Sequence, residues 1–249
     1  MFVLFLLAHL VADFALQPLW LVQRKQRWDG LLIHVGIVLL CMLALAALEP
    51  AVLALWPAML LISAIHLAAD WGKVRYGCRI GGPPIVAFLL DQVIHIATLA
   101  VVLSLTAPFE LVWGLTPANA MHALYAAGYV IVALAAPIAL IVWLDPQFQH
   151  TARAARARLR SLFVGVGALS LVLFGGALAL PLTLLGLVII VQQTTVLHPL
   201  DSLRGRITLL TIAATIGTAL RTFVGWCSRQ ACGTHNNTAS ASNSLMPYC

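Results

Sequence analysis

Two nearly identical five-residue phrases place a histidine and an aspartate four residues apart within strongly apolar sequence. They are His9-Leu-Val-Ala-Asp13 and His66-Leu-Ala-Ala-Asp70, and a reversed phrase, Asp91-Gln-Val-Ile-His95, lies in a third apolar run. Residues four apart share one face of a helix, so each phrase presents an imidazole beside a carboxylate. Ionisable groups inside a transmembrane helix are costly and usually functional. The three phrases therefore predict a functional site.

With His34, the phrases supply four imidazoles and three carboxylates, a mixed nitrogen and oxygen set that suits Zn, Fe or Mn. One metal ion commonly takes three or four protein ligands, so the set is large enough for one or two divalent ions. Such a centre polarises an oxygen atom and generates hydroxide near neutral pH. The predicted metal ligands are His9, Asp13, His34, His66, Asp70, Asp91 and His95.

The carboxylates have more than one possible role. Asp13, Asp70 and Asp91 are predicted to be catalytic, because a carboxylate that the metal does not fully engage can act as a general base. Some of them would instead orient a ligating imidazole. A single His–Asp pair can also be a buried hydrogen bond that fixes helix packing, but three phrases and a fourth histidine favour a metal or catalytic site.

Three polar neighbours of the phrases are predicted to contact a substrate, namely Gln17, Lys73 and Gln92. Two of them have a simpler interpretation. Gln17 suits the solvated end of a helix, and Lys73 suits an anchor at the lipid headgroups.

The composition identifies an integral membrane protein. Of 249 residues, 62% are hydrophobic and only 9% are charged, whereas a soluble domain carries about 25% charged residues. The long apolar runs lack the alternation of a β-barrel and predict an all-α polytopic fold. The net charge of +6 resides in short loops and reads as a topology signal, so we expect no nucleic-acid partner.

Eight transmembrane helices are predicted, at about 1–20, 30–48, 51–70, 84–107, 118–144, 161–179, 181–198 and 206–226. The first run has no basic start and carries an ionisable pair, so we interpret it as a retained helix rather than a signal peptide. Lys and Arg follow the first, third, fifth and seventh runs and are absent from the alternate loops. The positive-inside rule then places both termini outside a bacterial plasma (inner) membrane, with the basic loops in the cytoplasm.

This topology places all seven predicted ligands at one depth, in the cytoplasmic half of the first four helices. The order of phrases also predicts a parallel internal repeat, helices 1–2 being equivalent to helices 3–4. We divide the chain into a four-helix site region (1–110), four further helices (111–226) and a polar, flexible tail (227–249).

The combination of these motifs resembles a bacterial membrane-protein family, DUF3307. The resemblance is carried by His9-x-x-x-Asp13-Phe14-x-x-Gln17, His34, His66-x-x-x-Asp70-x-x-Lys73 and Asp91-Gln92-x-x-His95, within about residues 1–110. It implies a shared site but no established activity.

Three functional classes fit the predicted site. The leading hypothesis is a metal-dependent hydrolase acting on a lipid or lipid-linked substrate from the cytoplasmic side; a di-iron oxidase or hydroxylase would use similar ligands. The second is a proton-coupled metal transporter. The third is an accessory or cofactor-binding subunit whose partners contact helices 5–8 or the C-terminal tail.

Overall fold

A computed structural model describes residues 1–45, 49–79, 81–113, 118–147, 151–176 and 198–242, and the regular structure of these residues consists of short and long helices. These residues contain no β-strand, which confirms the all-α prediction. The N-terminal helices are α1 (Phe2–Leu10), α2 (Leu19–Arg24), α3 (Trp28–Ala44), α4 (Trp56–Tyr76) and α5 (Pro84–Thr106). The C-terminal helices are α6 (Phe109–Trp113), α7 (Ala118–Val130), α8 (Ala136–Leu144), α9 (Thr151–Phe174) and α10 (Leu203–Ser242).

Short turns of tighter or wider helix connect or extend several of these elements. The 3₁₀ turns are Pro50–Leu55, Gly77–Arg79 and Pro199–Asp201, and the π-helical turns are Val11–Ala15, which continues α1, and Ile131–Ala135, which joins α7 to α8.

Five helical segments in the described part of the chain are long and apolar enough to cross a membrane. They are Pro50–Tyr76, Pro84–Thr106, Met121–Leu144, Arg156–Phe174 and Leu203–Trp226. Two predicted spans correspond to shorter apolar helices, Phe2–Ala15 and Trp28–Ala44. The predicted span 181–198 lies outside the described residues apart from His198. The chain is an all-α polytopic membrane protein, and the count of eight spans stays a prediction.

The first predicted span is interrupted where a continuous helix was expected. The helical segment ends at Ala15, and the chain is extended at Pro18, with φ −67° and ψ 159°, before α2 begins. Proline lacks an amide hydrogen and disfavours helical geometry in the preceding residue, so Pro18 separates the two helices. This break allows α2 to lie against α3 and to place Lys25 beside the site.

α1 is packed among three other helices, α3, α5 and α7, while α4 lies between α3 and α5. Their shared apolar core includes Phe5, Val38, Met42, Met59 and Leu103, each no more than 1% exposed. Large apolar side chains cover the outside of the molecule as well, as lipid-facing surfaces require. The core therefore fixes the relative positions of the four helices that carry the predicted site.

The C-terminal helices form a second packed group. Helices α9 and α10 approach each other closely at Gly217, where an added Cβ atom would lie only 2.7 Å from Val172 Cγ1. Asp201 is buried between α9 and α10 and pairs with the guanidinium groups of Arg160 and Arg206. The basic segment 151–160 forms the first part of α9. Helix α10 extends to Ser242, and the three-region division stays a prediction.

Candidate functional site

The structure brings all seven predicted ligands into one buried cluster. Helix α1 and its π-helical turn supply His9 and Asp13; the other helices supply His34 from α3, His66 and Asp70 from α4, and Asp91 and His95 from α5. Every one of these side chains belongs to a residue that is at most 9% exposed. We refer to these seven residues as the His/Asp cluster.

Asp13 lies among imidazoles from three helices. Its Oδ1 atom is 3.3 Å from His34 Nε2 and 3.8 Å from both His9 Nδ1 and His66 Nε2. Asp13 is in the π-helical turn. Such turns are rare in proteins, and many of those known are at functional sites, where the extra residue changes the direction of the side chains. One carboxylate oxygen is thereby placed where three nitrogen atoms converge.

Asp70 connects the two sides of the cluster. Its Oδ2 atom is 3.5 Å from His34 Nε2 and 3.7 Å from His66 Nε2, and its Oδ1 atom is 3.6 Å from His95 Nε2. Asp91 Oδ1 lies 3.4 Å from the same His95 atom. The two oxygen atoms of Asp70 thus face different sets of imidazoles, as a bridging carboxylate would.

The imidazoles contact one another directly. His34 Nε2 and His66 Nε2 are 3.0 Å apart, and the rings of His66 and His95 stack with centroids 4.0 Å apart and planes inclined by 12°. In the described structure, His9 Nε2, His34 Nδ1 and His95 Nδ1 are buried without a hydrogen-bond partner. Unsatisfied buried polar atoms are uncommon and cost about 1–3 kcal/mol each, so their accumulation in one cluster indicates a functional requirement.

The spacing of nitrogen and oxygen atoms fits a metal ion. Three sets have all their ligand atoms within 4.8 Å of one another: His9, Asp13 and His66; His34, His66 and Asp70; and Asp70, Asp91 and His95. Bonds of about 2.0–2.2 Å place neighbouring ligand atoms roughly 3.3–3.6 Å apart in a tetrahedral site. The measured separations of 3.0–3.8 Å bracket that range.

Lys25 is a site residue that the sequence interpretation missed. Its Nζ atom lies 2.8 Å from Asp70 Oδ2, and its side chain is only 11% exposed. With its amide oriented to satisfy both ends, Gln17 accepts from Lys25 Nζ at 2.7 Å and donates to the Asp13 carbonyl oxygen at 2.9 Å. In the sequence, Lys25 is one of several basic residues in a loop that indicates only membrane topology. It reaches the cluster because the chain changes direction at Pro18, and the basic pattern alone does not distinguish it from Arg24 or Arg27.

Lys73 and Gln92 contact the opposite edge of the cluster. Lys73 Nζ donates to Asp91 Oδ2 at 2.6 Å, and Gln92 Nε2 donates to the same oxygen at 3.2 Å. The three carboxyl groups of the cluster outnumber the two lysine side chains that pair with them.

A small internal cavity adjoins the cluster on its apolar side. Its volume is about 10 Å³, enough for about one water molecule, and its polar lining includes His9, His66 and His95. The cavity is too small for an organic molecule, and the cluster is more accessible at the edge where the Lys73 side chain is 40% exposed.

The predicted internal repeat stays a prediction. The phrases beginning at His9 and His66 supply equivalent residue types to one cluster, but their backbones differ. Asp13 lies in a π-helical turn, whereas Asp70 lies in the regular helix α4.

The N-terminal sequence also matches a known family. Residues 1–124 match DUF3307. This family is described as a protein of unknown function, and the match includes the whole His/Asp cluster. The DUF3307 resemblance is therefore confirmed, and it extends through α6 into α7. No curated protein and no solved structure matches the chain.

Proposed function

We propose that the chain is a membrane-embedded, metal-dependent hydrolase that acts on a lipid or lipid-linked substrate from the cytoplasmic side of a bacterial inner membrane. The observation that carries this proposal is the convergence of four imidazoles and three carboxylates, from four helices, at separations of 3.0–3.8 Å. Polar groups buried in apolar helices are expensive, and this set fits the donors that Zn, Fe or Mn prefer.

The three overlapping ligand sets of the cluster would accommodate two ions. Asp13 and the imidazoles around it would hold one ion, while Asp91 and His95 would hold a second; Asp70 faces both groups. A bound divalent ion would supply Lewis acidity and a hydroxide nucleophile at neutral pH.

The protein's own side chains would transfer the proton and bind the substrate. Asp13 or Asp91 would accept a proton from water as a general base, a role within reach of either carboxylate. Lys73 pairs with Asp91 and its side chain is 40% exposed, so its ammonium group would bind an anionic group of the substrate. The apolar outer surface of the helices suits a substrate whose tail stays in the bilayer.

Two measurements on the purified full-length protein test this proposal. Metal analysis by inductively coupled plasma mass spectrometry should find one or two divalent ions per chain. The metal-loaded protein, in mixed micelles with radiolabelled bacterial lipid extract, should release a water-soluble labelled product. Asp13→Asn should abolish release, whereas Asp29→Asn, which changes an exposed carboxylate paired with Arg24, should not. No metal, or no difference between the two variants, would contradict the proposal.

The same experiment separates the hydrolase from other uses of the cluster. Stoichiometric iron with substrate-dependent oxygen consumption would replace the hydrolase by a di-iron oxidase. Uptake of metal into proteoliposomes that is lost in Asp13→Ala would instead establish a transporter. The enclosed position of the cluster favours chemistry at a fixed site, because the adjoining cavity has room for about one water molecule.

A further inference from the structure

A cleft of about 890 Å³ lies beside the His/Asp cluster, between α2, α3 and the end of α4. Its volume falls within the range of about 300–1,000 Å³ that is typical of small-molecule sites. Trp71 in its wall directly follows Asp70, and Leu31 in its floor precedes His34 by one helical turn. The cleft therefore shares two helices with the cluster.

Aromatic rings form one side of this cleft. Trp28 and Trp71, from different helices, stack with centroids 6.1 Å apart and planes inclined by 15°, and Tyr76 meets Trp71 edge-on at 5.8 Å. Single tryptophans at helix ends commonly anchor a protein at the membrane interface. Here three rings pack into one wall and remain partly exposed, Trp28 at 59% and Tyr76 at 45%.

The charge lining the cleft is entirely positive. Arg75 and Arg79 line it, and the Arg79 guanidinium lies 5.4 Å from the centroid of the Tyr76 ring. No acidic residue lines the cleft, and in the described part of the chain neither arginine pairs with a carboxylate. The nearby carboxylate of Asp29 already pairs with Arg24 and Arg27. Two uncompensated guanidinium groups suit a phosphate, whose oxygen atoms accept their paired N–H donors.

The apolar part of the lining distinguishes a lipid from free phosphate. Val22 and Val74 line the cleft and are 47% and 39% exposed, so apolar surface adjoins the arginines. A free phosphate ion would leave this surface and the aromatic wall unused. A lipid places its phosphate at the depth of interfacial aromatic residues and its glycerol and acyl groups against apolar side chains.

We infer that this cleft binds the phosphate-bearing headgroup of an anionic membrane lipid. As a statement about the substrate of the proposed enzyme, the inference rests on the proposed function. The binding itself requires the arginines and the aromatic wall but no metal ion, and it can be measured separately.

The test uses full-length protein in uncharged detergent and dioleoyl phosphatidic acid as the probe, with binding measured by native mass spectrometry. Arg75→Gln/Arg79→Gln should raise the dissociation constant about tenfold or more, since each basic residue contributes about 1 kcal/mol near an anionic lipid. Trp71→Leu should weaken binding without changing the charge. Arg156→Gln/Arg158→Gln removes the same charge from exposed positions outside the cleft and should change binding less than twofold.

Three outcomes would overturn the inference. Equal losses in the cleft and control variants would show general attraction between basic residues and anionic lipid. Equal affinity for dioleoyl phosphatidylcholine would exclude selection of an anionic head. Full competition by millimolar inorganic phosphate would identify a free-phosphate site.

Metal content keeps this test independent of the proposed function. The cleft variants should retain the wild-type metal content, which also reports that the cluster is folded. Phosphatidic acid binding by a protein that holds no metal would support the cleft while the proposed hydrolase fails. Metal binding and lipid hydrolysis without selective binding of phosphatidic acid would support the proposed hydrolase and contradict the inference about the cleft.

Discussion

The imidazole and carboxylate side chains of the His/Asp cluster are so close that their three possible ligand sets overlap. His66 is a member of two sets, and Asp70 is a member of two. Removing either of these side chains would therefore disturb more than one ligand set. Substitution of residues from separate phrases gives the sharpest test of a shared centre.

We expect His9→Ala/His66→Ala to lower the metal content of the purified protein by about tenfold or more, because both imidazoles face Asp13 and belong to one set. Mass-spectrometric metal analysis checks the result. His122→Ala is the matched control, since His122 is exposed on α7, outside the cluster. An unchanged metal content in the double variant would refute a shared centre.

Lys25 and Lys73 allow the effect of burial on an ion pair to be measured. Both pair with a cluster carboxylate, at 2.8 Å and 2.6 Å, but their side chains are 11% and 40% exposed. Removing one partner of a buried pair leaves an uncompensated charge and costs about 3–5 kcal/mol. The more exposed pair should contribute about 1 kcal/mol or less.

We therefore expect Lys25→Met to lower the thermal unfolding midpoint in detergent clearly more than Lys73→Met does. Differential scanning fluorimetry at matched detergent concentration measures both. Equal shifts would mean that Asp70 is compensated by another group when Lys25 is removed.

Two short departures from regular helix set the site geometry. The π-helical turn Val11–Ala15 directs Asp13 towards three imidazoles, and the break at Pro18 lets α2 return to the cluster. The return requires a close approach of α2 to α3 at Gly30. A Cβ atom there would lie 2.2 Å from the Arg24 carbonyl oxygen and 2.7 Å from the Lys25 amide nitrogen. Only glycine fits against this backbone.

Gly30→Ala should destabilise the protein by about 1–3 kcal/mol, as overpacking against backbone does, and should displace Lys25 from Asp70. Gly36→Ala on the same helix is the control, because its added Cβ meets no atom within 4 Å. Alanine has the better helix propensity, so the control should be neutral or stabilising. The thermal unfolding midpoints of the two variants are compared in one detergent. Equal midpoints would contradict the prediction that only Gly30→Ala is destabilising.

In the molecule as a whole, charge distribution and burial are consistent with a site that opens towards the basic loops. Lys25, Lys73 and the cleft arginines all lie on the same side of the His/Asp cluster in sequence-based topology. The orientation of that side in the membrane is a prediction from the positive-inside rule, and it can be tested directly.

Cysteine labelling in intact bacteria tests the orientation. In a variant with all five native cysteines replaced, Phe109→Cys should react with a membrane-impermeant maleimide, because Phe109 is 72% exposed and lies between the predicted spans 84–107 and 118–144, in a loop predicted to be external. Arg27→Cys, in a predicted cytoplasmic loop and 78% exposed, should react only after permeabilisation. The opposite pattern would invert the topology and place the cluster near the outer face.

The amino-acid sequence was sufficient to predict the fold class and the seven residues of the His/Asp cluster. Apolar composition requires helices whose backbone groups pair internally in a membrane. The four-residue spacing of His and Asp is preserved by helical geometry, so each phrase keeps its meaning without tertiary information. These local and compositional signals identified all seven cluster residues.

Tertiary structure decided how those residues meet. Asp13 faces three imidazoles rather than His9 alone because of the π-helical turn and its packing against α3. No local sequence pattern encodes that packing. Lys25 was missed because its partner, Asp70, is 45 residues away in sequence and is reached only through the break at Pro18. Spacing along a helix is a local property, whereas contacts between helices depend on packing, and packing brought the histidine and aspartate phrases into one cluster.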